Sequence, residues 1–232
     1  MESLTYKRSL WLLGFVALLA GCSTAQSPRH SADSLPALPD GRPYIVDPAA
    51  SSLRIILGTE GALAALGHPH VIGGSVIGGT VVIANPWQDS AFRLEVPVAE
   101  LVVDQAAWRA AEGLDPDVPE SAIRATRENM LSDSQLNVAS YPLIELSSIE
   151  ITGPEWQPDV RFRVTIAGQT SVHTVPIALN WDENQLTATG KLLTRFSDLG
   201  LTPYSAFGGG LRVADELRIR FRVKAFATNE KN

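Results

Sequence analysis

The sequence contains a single cysteine, Cys22, among its 232 residues. One cysteine excludes an internal disulfide, so packing and hydrogen bonds alone must stabilise the fold. Basic residues are also few, because 19 Lys and Arg stand against 25 Asp and Glu, with a formal net charge of −6. Nucleic-acid binding rewards clustered positive charge, so we expect no nucleic acid among the partners of this chain.

The familiar catalytic motifs are missing as well. There is no Gly-x-Ser-x-Gly, no P-loop, no Cys-x-x-Cys and no His-Glu-x-x-His. These patterns accompany hydrolases, nucleotide-binding enzymes, thiol oxidoreductases and zinc peptidases. We therefore predict a protein that is not an enzyme, although a triad assembled from distant residues is left open.

The N-terminal segment has the features of an export signal. Lys7 and Arg8 precede an apolar run at residues 10–20, which is too short to span a bilayer. The run ends in Leu-Ala-Gly-Cys at residues 19–22, which resembles the lipobox of bacterial lipoproteins. This resemblance implies removal of residues 1–21, lipid attachment at Cys22 and a periplasmic location, with the outer membrane favoured. The alternatives are an ordinary signal peptide with a chance cysteine, or a short membrane anchor.

A tether is predicted to follow the signal. Residues 22–43 are rich in Ser and Pro and hold almost no large apolar side chain, so they cannot bury enough surface to fold. We place the folded domain at residues 44–227 and a disordered tail at 228–232. A domain of this size can bury a sizeable core.

Strict alternation dominates the folded part. In residues 216–225, Leu217, Ile219 and Phe221 share one parity, whereas the charged residues share the other. A period of two places these sets on opposite faces of a strand. Similar patterns predict further strands, whose inward-facing residues include Leu53, Ile55, Phe92, Leu94, Phe162, Val164, Ile177, Leu179, Trp181, Leu217, Ile219 and Phe221.

The predicted fold is an all-β, antiparallel barrel of about eight strands. Turn residues separate the later strands at hairpin spacing, and glycine pairs at 73–74 and 78–79 suit sharply bent strands. Residues 105–131 are rich in Ala, Glu and Arg, and they predict a short helical excursion off the sheet. A small barrel of this kind is either filled by its own side chains or holds one ligand.

Two histidines form the sharpest polar feature. His68 and His70 flank Pro69, and imidazoles at this spacing are able to share a metal or to contact a polar head group. No other metal-ligating residue nearby in the sequence completes a ligand set. We therefore assign no metal ligand and expect the imidazoles to cap backbone groups of a turn. A metal- or redox-linked site at His68 and His70 remains the alternative, and His173 is expected to point inward.

Four segments in order resemble the YceI-like family of periplasmic proteins. They are Tyr-Ile-Val-Asp-Pro at residues 44–48, Tyr-Pro-Leu-Ile-Glu-Leu-Ser-Ser at 141–148, Thr-Ile-Ala-Gly-Gln-Thr at 165–170 and Ser-Asp-Leu-Gly at 197–200. Leu-Gly-His-Pro-His at residues 66–70 resembles the Leu-Gly-His-Asp-His of one branch of that family. The family's histidines fall on Ala50 and Ala167 here.

The resemblance implies a lipocalin-like barrel that holds a polyisoprenoid or a similar apolar lipid, such as a quinone tail or a polyprenyl phosphate. The inward-facing apolar residues named above would then line the ligand cavity. His68, His70, His173 and Tyr204 would contact the head group or lie at the mouth. The expected partners are the lipid ligand and the membrane, and a homodimer is one option for the oligomeric state. A structural envelope lipoprotein with a filled barrel is the remaining alternative.

Overall fold

The computed structural model describes residues 37–228. Cys22, the predicted signal peptide, residues 22–36 of the predicted tether and the last four residues of the predicted tail lie outside the described residues. Among the described residues, no helix is long and apolar enough to cross a membrane.

Strands make up about half of the described chain, with two α-helices between the sixth and seventh strands. The helices are α1 (Ala106–Ala111) and α2 (Glu120–Leu131). The strands are β1 (Arg42–Val46), β2 (Ser52–Glu60), β3 (His70–Gly74), β4 (Gly78–Ile83), β5 (Ala91–Pro97), β6 (Val102–Val103), β7 (Leu143–Thr152), β8 (Asp159–Ile166), β9 (Gln169–Trp181), β10 (Gln185–Arg195), β11 (Ser205–Ala206) and β12 (Leu211–Ala227).

These strands form a closed antiparallel barrel. β1 and β2 follow one another along the same edge of β12, and they pair on their other side with β4 and β3. β5 and β6 continue from β4 and β3 in the same way. β7, β8, β9 and β10 then follow in order, and β10 pairs with β12 over its whole length. The result is eight barrel strands, so the predicted fold class is confirmed.

β12 closes the barrel as its alternation predicts. Leu217, Val223 and Ala225 are buried, whereas Glu216, Arg218 and Arg222 are exposed. The strand extends further than expected, from Leu211 to Ala227. Its 17 residues allow it to pair with β10 on one edge and with both β1 and β2 on the other.

Two glycines permit close approaches of backbone in the bent strands. A Cβ at Gly73 would lie 2.0 Å from the carbonyl oxygen of Leu53, where β3 crosses β2. Gly79 has a φ of 125°, and a Cβ there would lie 2.1 Å from the carbonyl oxygen of Arg93. A side chain at either position would collide with backbone of the neighbouring strand, so glycine is required.

The predicted helical excursion is confirmed, since α1 and α2 stand outside the sheet between β6 and β7. Thr126, Asn129 and Met130 of α2 line the interior at one end of the barrel. Ile123, Met130 and Leu131 of α2 pack against the buried core. We call the end of the barrel that α2 lines the helical end. The first strand begins at Arg42 rather than at Tyr44, since Arg42 pairs with Ile83.

α1 packs against the outer face of the barrel. The guanidinium of Arg54 on β2 lies 3.7 Å from the ring centroid of Trp108 on α1. Ile56 and Val71 point to this outer side, away from the interior, and both are buried. A small second core therefore lies between α1 and the barrel wall.

Candidate functional site

The barrel encloses an elongated cavity of about 540 Å³. This volume lies in the range of small-molecule sites. Every inward-facing apolar residue predicted from the sequence lines it: Leu53, Ile55, Phe92, Leu94, Phe162, Val164, Ile177, Leu179, Trp181, Leu217, Ile219 and Phe221. The interior is therefore not filled by its own side chains. The ligand-binding role of these residues stays a prediction.

The polar side chains of the cavity are concentrated at the helical end. They include His68, His70, His173 and Tyr204, the four residues predicted for the head group or mouth, together with Asn129 and Gln135 beside α2. The opposite end, where β9 finishes and β5 begins, is lined by Trp87, Trp181, Ile151 and Pro158, with Ser90 as a polar exception. The cavity thus has a long apolar shaft and one polar end.

Two loops at the helical end carry exposed apolar side chains. Leu66 is 72% exposed and Phe207 is 74% exposed. The loops are joined because the backbone N–H of Leu63 donates to the carbonyl oxygen of Gly210 at 2.8 Å. Leu66 also borders the cavity, so an exposed apolar side chain lies beside its polar end.

A buried network connects His70 to α1. Nδ1 of His70 lies 2.6 Å from Oδ2 of Asp104, and the other carboxylate oxygen, Oδ1, accepts from Nη1 of Arg109 at 2.7 Å. Oδ1 also accepts from the backbone N–H of Val71 at 2.8 Å. Arg109 in turn donates to the carbonyl oxygens of Pro69 and Asp115. Asp104 and Arg109 are almost completely shielded from solvent.

Hydrogen bonding and burial shift the pKa of two groups here, Asp104 and His68. Burial alone would raise the pKa of Asp104, but hydrogen bonds from His70, Val71 and Arg109 outweigh it and hold the pKa below its usual value. Asp104 is therefore a carboxylate at neutral pH. Burial, with a smaller contribution from His70, lowers the pKa of His68. His68 is therefore a neutral imidazole at neutral pH, with a nitrogen lone pair available.

The prediction that both imidazoles cap backbone groups is wrong for His70, whose Nδ1 contacts the side chain of Asp104. Nε2 of His68 is buried and has no hydrogen-bond partner within the described part of the chain. The two rings are close, with centroids 4.6 Å apart and planes inclined by 58°. Asp104, His68 and His70 each offer a ligand atom, and these atoms all lie within 4.8 Å of one another.

Sequence reasoning missed Asp104 and Arg109. Asp104 is separated from His70 by 34 positions, and only the pairing of β3 with β6 brings it to the histidines. Its place directly after the apolar pair Val102–Val103 is no signal, since Asp47 follows Ile45–Val46 in the same way. Asp104 also has a φ of 52°, in the left-handed region that Asp and Asn tolerate better than other side chains.

His173 points into the cavity as predicted from its parity. Its Nε2 lies 2.9 Å from Oγ of Ser171, and its ring lies 6.0 Å from that of Phe162. Burial lowers the pKa of His173, and Asp198 opposes this shift only in part. His173 therefore contributes a neutral polar group to a largely apolar wall.

Comparisons with known proteins agree with this architecture. The YceI-like domain matches residues 44–225, so the chain belongs to the YceI-like domain family. No curated protein matches the sequence significantly. Among solved structures, BcnA of Burkholderia cenocepacia is similar, with a TM-score of 0.57 and 16% identity over 78% of this chain and 99% of that one.

A second group of solved structures is more distant. The YCEI protein of Campylobacter jejuni has a TM-score of 0.48 and 9% identity, over 66% of this chain and 82% of that one. At these identities, the similarity to BcnA concerns the fold, and the comparison with the Campylobacter protein adds no argument.

Proposed function

We propose that this protein is a lipid-binding barrel that holds an amphiphile with a long isoprenoid-like tail, such as a quinone or a polyprenyl phosphate. The observation that carries the proposal is the polarity of the cavity, which is apolar along its shaft and polar at the helical end. Such a gradient fits a molecule that has a polar head and an apolar tail, and it fixes the orientation of that molecule.

The energetics favour retention of a long tail. Each methylene-sized group transferred from water to an apolar interior contributes about 0.8 kcal/mol. On β9 the lining residues run from His173 to Trp181, which gives a depth of about 20 Å for a tilted strand. Many tail groups can therefore be buried at once, so the head needs only a few hydrogen bonds. Tyr204, His173 and His70 are placed to provide them.

We further propose that the barrel works in the periplasm, attached to a membrane through a lipid on Cys22, with the outer membrane favoured. The lipobox-like sequence at residues 19–22 supports this location. The exposed apolar side chains of Leu66 and Phe207 at the helical end are also compatible with transfer of a lipid between the cavity and a bilayer. No catalytic role is proposed.

A matched pair of variants tests the lipid proposal. Ala188 lines the cavity, whereas Ala178 on the neighbouring strand β9 is exposed on the outer face. Ala188→Trp places an indole in the shaft and displaces at least two methylene-sized groups of a tail, so the affinity for the lipid should fall by about tenfold or more, and lipid occupancy should fall with it. Ala178→Trp adds the same side chain outside the barrel and should leave occupancy unchanged.

The measurement is native mass spectrometry of the full chain purified in detergent from a bacterial host, followed by organic extraction. We expect an added mass that leaves with solvent and fragments as an isoprenoid. A bare wild-type mass, even after incubation with polyprenol and quinone, contradicts the proposal. Equal occupancy in the two tryptophan variants contradicts the assignment of the cavity as the binding site.

A further inference from the structure

The group formed by His68, His70 and Asp104 has features that a lipid head-group contact does not require. It joins two imidazoles and a carboxylate, whose ligand atoms all lie within 4.8 Å of one another, at the polar end of the cavity. Imidazole nitrogen and carboxylate oxygen together are the donor set of zinc-type ions, whereas magnesium and calcium prefer oxygen alone. The donor set therefore selects a class of ion.

The donors lie within 4.8 Å of one another, so small side-chain movements would bring them to the spacing that such an ion needs. Zinc binds nitrogen and oxygen at about 2.0–2.2 Å, so neighbouring ligand atoms in a tetrahedral site lie about 3.3 Å apart. Nδ1 of His70 and Oδ2 of Asp104 are 2.6 Å apart, a distance held by the proton that they share. An ion would replace this proton, and the pair would open by about 0.7 Å through small side-chain rotations.

Nε2 of His68 supplies an independent observation. It is buried without a hydrogen-bond partner among the described residues, although the ring of His70 lies beside it. A buried polar atom without a partner is costly, and in native proteins it commonly indicates an unobserved water or ion. A metal ion between the two imidazoles and the carboxylate would satisfy this nitrogen.

Arg109 acts on the group in two ways. It donates a hydrogen bond to Oδ1 of Asp104 and so directs Oδ2 toward the histidines. In metal sites of other proteins, hydrogen-bond partners orient the ligating side chains in the same way. The positive charge of Arg109 also repels a cation. We therefore expect an affinity below that of closed structural zinc sites, with a ligand position left open toward the cavity.

From these observations we propose that His68, His70 and Asp104 bind one divalent transition-metal ion of the zinc class at the helical end of the cavity. Arg109 is a positioning residue for Asp104. The proposal goes beyond lipid binding and does not depend on it, because the three residues would bind the ion with or without a tail in the shaft.

The test uses the full chain purified in detergent and treated with EDTA. Zn²⁺ binding is measured by calorimetry, and Co²⁺ is used as a spectroscopic probe because its visible absorption reports the coordination geometry. The variants are His68→Ala, His70→Ala and Asp104→Asn. His173→Ala is the matched control, since His173 also lines the cavity but lies outside the group.

We expect one Zn²⁺ per chain in the wild type and in His173→Ala, with an intense visible Co²⁺ spectrum in both. Each of the other three variants should weaken binding by about tenfold or more and bleach the Co²⁺ spectrum. Circular dichroism of every variant verifies the fold. If Asp104→Asn does not fold, the two histidine variants decide the outcome. His68→Ala is the safer of the two for the fold, because Nε2 of His68 has no hydrogen bond that the substitution would remove.

Two results would overturn the proposal. One is absence of Zn²⁺ binding to the folded wild type. The other is an unchanged affinity in His68→Ala and His70→Ala, which would assign the ion to another group, such as His30. Lipid occupancy is measured on the same variants so that the two proposals are tested separately. A variant that loses the metal but retains its lipid leaves the lipid proposal intact.

Discussion

The wall of the cavity and the group around Asp104 depend on their neighbours in different ways. Wall residues such as Ile55 and Phe92 pack against the hydrophobic core, and hydrophobic attraction is not directed at one particular partner. Asp104, by contrast, is held by a few directed hydrogen bonds from His70, Val71 and Arg109. The wall should therefore tolerate substitution by size, whereas the group should tolerate almost none.

The largest expected effect is at Asp104. Asp104→Ala leaves the guanidinium of Arg109 buried without its carboxylate, and removal of one partner from a buried pair costs about 3–5 kcal/mol. Chemical denaturation measures the loss in the free energy of unfolding. Glu120→Ala is the control, because its pair with Arg124 is exposed and the variant should be indistinguishable from the wild type. An equally small effect of Asp104→Ala would mean that the hydrogen bonds around Asp104 stabilise the fold no more than an exposed ion pair does. The contrast between this group and the cavity wall would then be lost.

A pair of adjacent isoleucines on β2 gives the next largest effect. Ile56 is buried between the barrel and α1, whereas Ile55 borders the cavity. Truncation of a buried isoleucine to alanine costs about 2–5 kcal/mol, and the cost depends on the new empty volume beside well-packed neighbours. We expect about 4 kcal/mol for Ile56→Ala and about 2 kcal/mol for Ile55→Ala.

Thermal and urea unfolding of the two variants check this order. The residue type and the strand are the same in both, so the difference reports only the side that each residue faces. A larger cost at Ile55 would indicate that the cavity wall is packed more tightly than its open interior suggests.

The smallest effect concerns His173 and pH. Burial lowers the pKa of His173, so the folded protein binds its proton less readily than the unfolded chain. The stability that this provides is complete above the unfolded pKa of about 6.5 and falls as the pH drops below it. We expect the wild type to lose more in Tm than His173→Gln between about pH 7.5 and pH 5. Equal losses would mean that His173 does not titrate differently in the folded state.

Much of the barrel could be predicted from local sequence. The alternation in β5, β8 and β12 has a period of two, which depends only on backbone geometry. It predicts Phe92, Phe162 and Phe221 on the inner face without any information on strand pairing, and all three line the cavity. The bounds of the strands, by contrast, depend on their pairing with neighbours. β12 begins five residues before the start that its alternation predicts.

The excursion at residues 105–131 could be predicted only in part. Its composition indicated helices, and both formed. The direction in which α2 packs depends on which hydrophobic surface is uncovered when the barrel closes, and that surface is formed by strands far away in sequence. The helical spacing of Ile123, Thr126 and Met130 indicates an amphipathic helix, but it does not say which surface that face covers.

The sequence by itself determined the strand pattern, the inward residues and the family to which the chain belongs, because alternation and short motifs are local properties. Only the tertiary structure decided that the barrel has a cavity, since a void depends on how side chains from all eight strands fit together. It also decided the partners of His70. Asp104 and Arg109 reach this histidine through strand pairing and helix packing, which bring together residues that no local pattern connects.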